Sequence, residues 1–283
     1  MAGTQDWKIE NTSGLPIIGT THLVEGSPRG VVLLAHGFRG YKDYGFIPLL
    51  AQRLADERYL AHRFNFSHSG MGHGHGKFDE DEFRSDTWNA QVDDLLAVVG
   101  AVGSGAIQGG GQPLIMFGHS RGGVASLLAA GRHADSPELS GLKGIITAAS
   151  PADACRLDDA ARDSFLRNGY MDVPSSRTGQ ALRVDAAWLR EQQADPEGHD
   201  VVTQAGRVRV PVAIIHGLDD STVSSEDAIF LAEAVGDRAV MRLIDGGNHV
   251  FNMPNPADAT TVCSPQFEQL QRHVVDLCHR WSR

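Results

Sequence analysis

Leu114-Ile115-Met116-Phe117-Gly118-His119-Ser120-Arg121-Gly122-Gly123, followed by the apolar, alanine-rich run from Val124 to Ala130, reads as strand, sharp turn and helix. A serine flanked two residues away on each side by glycine fits a turn so tight that a side chain at either flank would clash with the neighbouring strand or helix. The turn leaves the Ser120 side chain exposed at its tip. A Gly-x-Ser-x-Gly pentapeptide gains meaning from the strand before it and the helix after it, and both are present here.

Bulk properties narrow the remaining choices. A chain of 283 residues is long enough for one large domain or two smaller ones, and the repeated strand and helix pattern around the serine favours one. The formal net charge is −10 and no lysine- or arginine-rich run stands out, which argues against nucleic acid or an anionic membrane surface as partner and favours a small molecule. Cys155, Cys263 and Cys278 match neither a metal knuckle nor a disulfide framework, so a reducing compartment is expected. The first residues lack the basic and then apolar pattern of a signal peptide, and no apolar run approaches membrane-spanning length. These features lead to the expectation of a soluble, cytoplasmic protein. Oligomeric state leaves no signal in the sequence.

Toward the N-terminus, the first thirty residues hold short segments punctuated by Gly14, Pro16, Gly19, Gly26 and Pro28, consistent with an antiparallel edge opening a larger sheet. Val31 to Ala35 is a continuous apolar run of the kind covered on both faces, and it ends in His36-Gly37-Phe38-Arg39-Gly40. Helical spacing runs from about Phe46 to Glu57, strand returns from Tyr59 to Phe66, and helical periodicity resumes from Thr87 to Val102. Between the last two lies a loop with His68, His73 and His75, followed by the acidic patch Asp79 to Glu82. Three histidines near carboxylates invite a metal reading. The interspersed glycines leave no rigid frame for ligation, so no metal is expected and the loop is read as bordering the site.

Toward the C-terminus, Gly144 to Ala149 is the next buried strand. From Ser150 to about Val208 the chain turns charged and helix-rich, with a break at Pro174 and no clear strand, and it is too long for a simple connection. Residues 150–208 are therefore expected to form a cap of short helices over the serine, inserted in a core made of residues 1–149 and 209–283. Tyr170, Met171, Trp188 and Leu189 are read mainly as the core of that cap. Val210 to Ile215 resumes the sheet, a helix follows from about Ser225 to Val235, Ala239 to Ile244 is the last strand, and a helix from about Pro265 to Trp281 ends the chain. The alternation implies a mostly parallel sheet with helices on both faces.

A neutral serine hydroxyl is a poor nucleophile and needs a base within hydrogen-bond reach and an acid to orient that base. Ser120, Asp220 and His249 occur in the chain order Ser, Asp, His, each in a loop after a strand. Three motifs, His36-Gly37-Phe38, Gly118-His119-Ser120-Arg121-Gly122 and His216-Gly217-x-x-Asp220-x-x-Val223, together resemble those of the α/β-hydrolase superfamily. The nearest likeness is to bacterial serine esterases of the feruloyl or cinnamoyl esterase and dienelactone hydrolase type. It covers the chain from about Val31 to the end and is weakest in the cap. What the resemblance implies is an α/β-hydrolase fold, with a mostly parallel eight-stranded sheet flanked by helices and a helical cap inserted after the sixth strand. It further implies a catalytic triad of Ser120, Asp220 and His249 and an oxyanion hole built from the backbone N–H groups of Phe38 and Arg121. Asp219 and, more remotely, Asp153 stay open as the acid. The Asp-x-Arg-Gly-x-Gly pattern of many relatives is missing after Phe66, so no role of its arginine carries over.

Of the other histidines, His36 and His216 close strands and are read as structural. His119 is expected to point away from the serine toward the sheet, and His273 and His279 to lie on a solvated helix face. Arg39 and Arg121 either select a substrate carboxylate or, the preferred reading, pair with acidic groups of the cap or the Asp79 to Glu82 patch. The function expected is cleavage of carboxylic esters without cofactor or metal. A peptidase or amidase of the prolyl-oligopeptidase-like type and a non-catalytic ligand-binding relative are the alternatives.

Overall fold

The computed structural model describes residues 3–71, 76–175 and 177–283. Strands β1 (Thr4–Glu10) and β2 (Pro16–His22) pair antiparallel and form the edge expected of the first thirty residues. Next come β3 (Gly30–Ala35), α1 (Ile47–Asp56), β4 (Tyr59–Asn65), α2 (Glu80–Arg84), α3 (Trp88–Ser104), β5 (Leu114–His119), α4 (Arg121–Arg132) and β6 (Leu142–Ala148). The sheet is completed by β9 (Val212–Gly217), α8 (Glu226–Val235), β10 (Ala239–Ile244) and α9 (Pro265–Trp281). Between these two blocks lie α5 (Asp159–Asn168), β7 (Tyr170–Asp172), β8 (Arg183–Asp185), α6 (Ala187–Ala194) and α7 (Val201–Arg207).

The eight strands form one sheet in the order β1-β2-β4-β3-β5-β6-β9-β10, antiparallel only in the pairs β1 with β2 and β2 with β4. Alternation within the apolar strands feeds two cores. Val31, Leu33, Met116 and Ile145 face the layer of α3, α4 and α8, whereas Val32, Leu34, Phe117 and Ile146 face α1 and α9. Parallel strands buried on both faces read as unbroken apolar runs, which is why the sequence marks them so clearly. The order reverses at β3, whose neighbours are β4 and β5, and α1 leaves on the face opposite α4. The connections after β3 and β5 thus leave toward opposite faces of the sheet, and the carboxyl ends of strands at such a reversal are the place where open α/β sheets take their ligands.

The excursion after β6 differs from the all-helical expectation. β7 and β8 pair into a small antiparallel hairpin. Strands of three residues are too short to carry a periodic signal, so the sequence could not show them. α7 packs on α4 and α8 beside the sheet, with the Gln204 carbonyl against Gly131. The remainder is tied to α2 and α3 by polar contacts. Gln180 spans the Phe78 N–H (2.8 Å) and carbonyl (2.9 Å), Arg84 pairs with Asp185 (3.0 Å), and Glu191 accepts from the Trp88 N–H (2.6 Å) and Asn89 N–H (3.2 Å) at the start of α3. Trp188 and Leu189 are buried, with Trp188 stacked on Phe165, while Tyr170 and Met171 are half-buried. Asp79, within the acidic patch, caps α2 by accepting from the Asp81 and Glu82 N–H groups. Among the described residues no helix is long and apolar enough to cross a membrane.

Candidate active site

Ser120 occupies the turn between β5 and α4 with φ +52° and ψ −120°. A non-glycine residue held there stores about 1–3 kcal/mol of backbone strain. The flanking glycines make the turn possible, since a Cβ on Gly118 would lie 2.3 Å from the Gly122 carbonyl oxygen and one on Gly122 would lie 2.3 Å from that of Ala35. The Ser120 N–H donates to Ala148 on β6 (2.8 Å), which fixes the tip against the sheet.

From the loop after β10, His249 presents Nε2 at 3.1 Å from Ser120 Oγ and Nδ1 at 2.8 Å from Asp220 Oδ2. With Nδ1–H donating to the carboxylate, Nε2 is left to accept from the serine hydroxyl. Local hydrogen bonds shape the loop: Asn248 Oδ1 accepts from the Val250 and Asn252 N–H groups, while Asn252 Oδ1 accepts from the Asn248 N–H. Phe251 is fully buried and plugs the loop onto Phe46, with ring centroids 5.8 Å apart.

Asp220 follows β9 by three residues, and its side chain is fully buried. Oδ1 accepts from the Thr222 (2.8 Å) and Val223 (2.9 Å) N–H groups, and Oδ2 lies 3.3 Å from His216 Nε2 in addition to His249. Burial pushes this carboxyl up, but the hydrogen bonds from His216, His249 and Val223 outweigh it and hold the pKa well below the usual carboxylate range. The loops meet because both strands end in glycine-lined contact, a Cβ on Gly217 falling 2.1 Å from the Gly247 carbonyl oxygen. Of the three carboxylates the sequence left open, Asp220 is the one bonded to His249. Asp219 is exposed, and Asp153 accepts from the Cys155 N–H in a local turn.

The loop after β3 passes directly beside the serine: a Cβ on Gly37 would lie 3.0 Å from Ser120 Cβ. Phe38 is the next residue. Arg121 opens α4, so its N–H is one of the helix donors without an intrahelical acceptor.

The sequence profile of the Alpha/beta hydrolase family matches residues 32–261, most of the chain. The chain belongs to the α/β-hydrolase family. Curated proteins give no match. Among solved structures, Est1E from Butyrivibrio proteoclasticus, bound to ferulic acid, is 19% identical with a TM-score of 0.73, covering 97% of this chain and 98% of that one. The esterase domain of a Rhodothermus marinus protein is 18% identical with a TM-score of 0.66, covering 99% and 100%. Alpha/beta hydrolase domain-containing protein 10 from mouse is 17% identical with a TM-score of 0.70, covering 98% and 99%. At these identities the likeness carries the fold.

Other residues of this α/β-hydrolase fall into place around the chain of hydrogen bonds. His36 Nδ1–H donates to the Gly37 carbonyl (2.9 Å) and Nε2 accepts from the Phe66 N–H (3.3 Å), tying the β3 and β4 loops, and burial lowers its pKa to about 4. His216 closes β9 and touches Asp220 and the Val223 carbonyl. His119 points away from the serine, yet its Nε2–H donates to the His249 carbonyl (2.8 Å) and its ring lies 5.0 Å from that of His249. This support was missed in the sequence, where nothing marks a residue on β5 as the floor of a loop 130 residues later. Burial, and then the neighbouring His249, lower the His119 pKa to about 3.

His273 and His279 depart from the solvated reading: both are half-buried, and His279 packs on Tyr59 with Nε2 3.4 Å from Glu57. Arg39 donates to the Pro174 carbonyl between β7 and β8. Arg121 does pair with an acid, but with Asp86 (3.4 Å), outside both expected regions. Near Asp86, burial lowers the His68 pKa, while His73 and His75 lie outside the described residues.

Proposed function

We propose that this α/β-hydrolase is a serine esterase that cleaves carboxylic esters through an acyl-enzyme. The observation that carries the reading is the unbroken hydrogen-bonded series Ser120 Oγ, His249 imidazole and Asp220 carboxylate, with the serine raised on a strained turn. The family and the esterases among the similar structures support hydrolase chemistry.

On this reading Ser120 Oγ attacks the ester carbonyl carbon while His249 Nε2 takes its proton. The carbonyl oxygen becomes an oxyanion and receives hydrogen bonds from the Phe38 and Arg121 backbone N–H groups, each worth about 3–4 kcal/mol to the transition state. The tetrahedral intermediate collapses, the C–O bond to the alcohol breaks, and His249 returns the proton to the departing oxygen. Water then attacks the acyl-serine by the same path, releasing the acid and regenerating Ser120. Asp220, kept ionised by its donors, holds the tautomer and stabilises the imidazolium as it forms.

A panel of activated esters set against aminoacyl-amides, with fluorophosphonate labelling of Ser120, tests the proposal. Ester turnover and labelling that vanish in Ser120→Ala are expected. Faster amide turnover would make the protein an amidase or peptidase, and folded protein that neither labels nor turns over would be a ligand-binding relative.

A further inference from the structure

Beside the serine lies a second buried polar assembly that the ester chemistry leaves unexplained. Arg121 extends its guanidinium into a box of three rings drawn from distant segments. Its carbon Cζ is 4.3 Å from the Trp88 ring, 5.1 Å from Phe38 and 5.8 Å from Trp188 of the cap. The side chain is 9% exposed, and among the described residues its one ion pair runs from a single nitrogen to Asp86, itself 6% exposed and fixed by Gln91 (2.8 Å). Nε and the second terminal nitrogen have no hydrogen-bond partner among the described residues.

Three physical terms oppose a cation in this place. Burial strips its hydration, the hydrogen bonds that should replace the lost water are incomplete, and Arg121 begins α4, the end of a helix where the backbone dipole disfavours positive charge. A leucine or methionine would fill the space between the rings without these penalties, but would leave the buried Asp86 carboxylate without a counter-charge. What the guanidinium supplies instead is a flat cation that binds ring faces and an acid together. Of those rings, Phe38 is the consequential one. It is half-buried, and it follows Gly37, whose Cβ position would fall 3.0 Å from Ser120 Cβ.

We propose that the Arg121 side chain is a positioning group for the oxyanion hole: anchored by Asp86 and packed on Trp88, it grips the Phe38 ring and so fixes the Phe38 N–H beside Ser120. The inference rests on the esterase reading and deepens it. One residue then contributes its own N–H and holds in place the residue that contributes the other. Trp88 is in turn bonded through Nε1–H to the Ala154 carbonyl (3.2 Å), and Phe38 packs on Phe83 of α2 (5.6 Å), so the grip is braced from the cap and from α2.

The test compares Arg121→Met, Arg121→Lys and Phe38→Leu on p-nitrophenyl acetate and on a trifluoromethyl ketone, whose serine adduct presents the same oxyanion. In Arg121→Met, kcat should fall tenfold or more with KM within twofold, and ketone affinity should fall by the same factor. Arg121→Lys should recover part of both. Phe38→Leu leaves the Arg121 and Asp86 pair in place and should repeat the signature, so it decides the matter if Arg121→Met does not fold. Unchanged kcat and ketone affinity beside a lowered unfolding midpoint would overturn the proposal in favour of a purely structural ion pair. A loss confined to KM, or to esters bearing a carboxylate, would overturn it in favour of substrate binding by the guanidinium. Wild-type protein without ester turnover or Ser120 labelling would bring down both readings, whereas an active wild type with wild-type-like variants brings down only this one.

Discussion

Two buried polar assemblies flank the same turn, and they are held by opposite means. Around Asp220 the hydrogen-bonding capacity is filled: Oδ1 takes two backbone N–H groups and Oδ2 takes His249, with His216 close by. Around Arg121 the hydrogen bonding is sparse, with one long ion pair and three ring faces. The first arrangement suits a group whose charge must stay fixed while protons move beside it, because each donor to the carboxylate favours its ionised form. The second suits a group whose task is to hold shape, since ring faces attract a cation over a range of angles while a hydrogen bond tolerates few. Both assemblies meet at the turn that carries Ser120, although Asp220 and Arg121 lie far apart in the chain.

The largest expected effects fall on the filled assembly. Ser120→Ala should lower kcat roughly 10⁴-fold or more on any ester the protein cleaves, leaving only binding and the oxyanion donors. Asp220→Asn should lower kcat roughly 10³–10⁴-fold, because the amide no longer selects the Nδ1–H tautomer of His249. Asp219→Asn is the control and should keep wild-type activity, its side chain being exposed. Steady-state rates for the three variants check the ordering, and a comparable loss in Asp219→Asn would break the contrast drawn around Asp220.

The sequence was informative for one assembly and silent on the other for a physical reason. Ser120 and Asp220 each follow a strand that is buried on both faces and marked by an apolar run, while His249 follows the half-exposed edge strand β10, legible as the last strand-like segment before the C-terminal helix. Once the strands are placed, the parallel topology carries their loops to one edge of the sheet. The box has no such frame. Phe38, Asp86, Trp88, Arg121 and Trp188 come from separate loops and helices, and Asp86 reads in sequence only as a residue before the α3 cap Thr87. The β7 and β8 hairpin was hidden for a related reason, its pairing being decided by packing on α2 and not by a pattern of its own. His119 falls between the two cases: its direction away from the serine follows from strand alternation, but its bond to His249 depends on a tertiary contact.

A smaller effect is expected where the filled assembly rests on its floor. His119→Phe keeps the packing against Phe46 and removes the bond to the His249 carbonyl, so kcat should fall about tenfold, or roughly 1.4 kcal/mol, with the serine still labelled by fluorophosphonate. The same variant has a pH signature. Burial lowers the His119 pKa from 6.5 to about 3, so below pH 6.5 the unfolded chain binds a proton that the folded protein refuses. Stability from this group is therefore complete above pH 6.5 and is lost as pH falls toward 3, at about 1.4 kcal/mol per pH unit. His36, lowered to about 4, adds a parallel loss. Urea midpoints at pH 7 and pH 5 should show a smaller drop in His119→Phe than in the wild type, and equal drops would mean that His119 accepts a proton in the folded state.

The smallest effect tests whether the sparse assembly depends on how the segment between β6 and β9 is attached. Glu191 places a carboxylate at the first N–H groups of α3, bonding Trp88 and Asn89, and Trp88 is the ring that lies closest to Arg121. A negative charge at a helix N-terminus contributes about 0.3–1 kcal/mol beyond the hydrogen bonds themselves. Glu191→Gln keeps an acceptor oxygen for the Trp88 N–H and removes the charge, which also faces His199 (3.5 Å), so the unfolding free energy should drop by about 1 kcal/mol, read as a lower urea midpoint with an unchanged slope. If the box is braced through α3, the same change should also weaken binding of the trifluoromethyl ketone by a small factor, because Trp88 would hold Arg121, and through it Phe38, less firmly. A lowered midpoint with ketone affinity intact would instead show that the Glu191 contact stabilises the fold independently of the turn, and the contrast between the two assemblies would then end at Trp88.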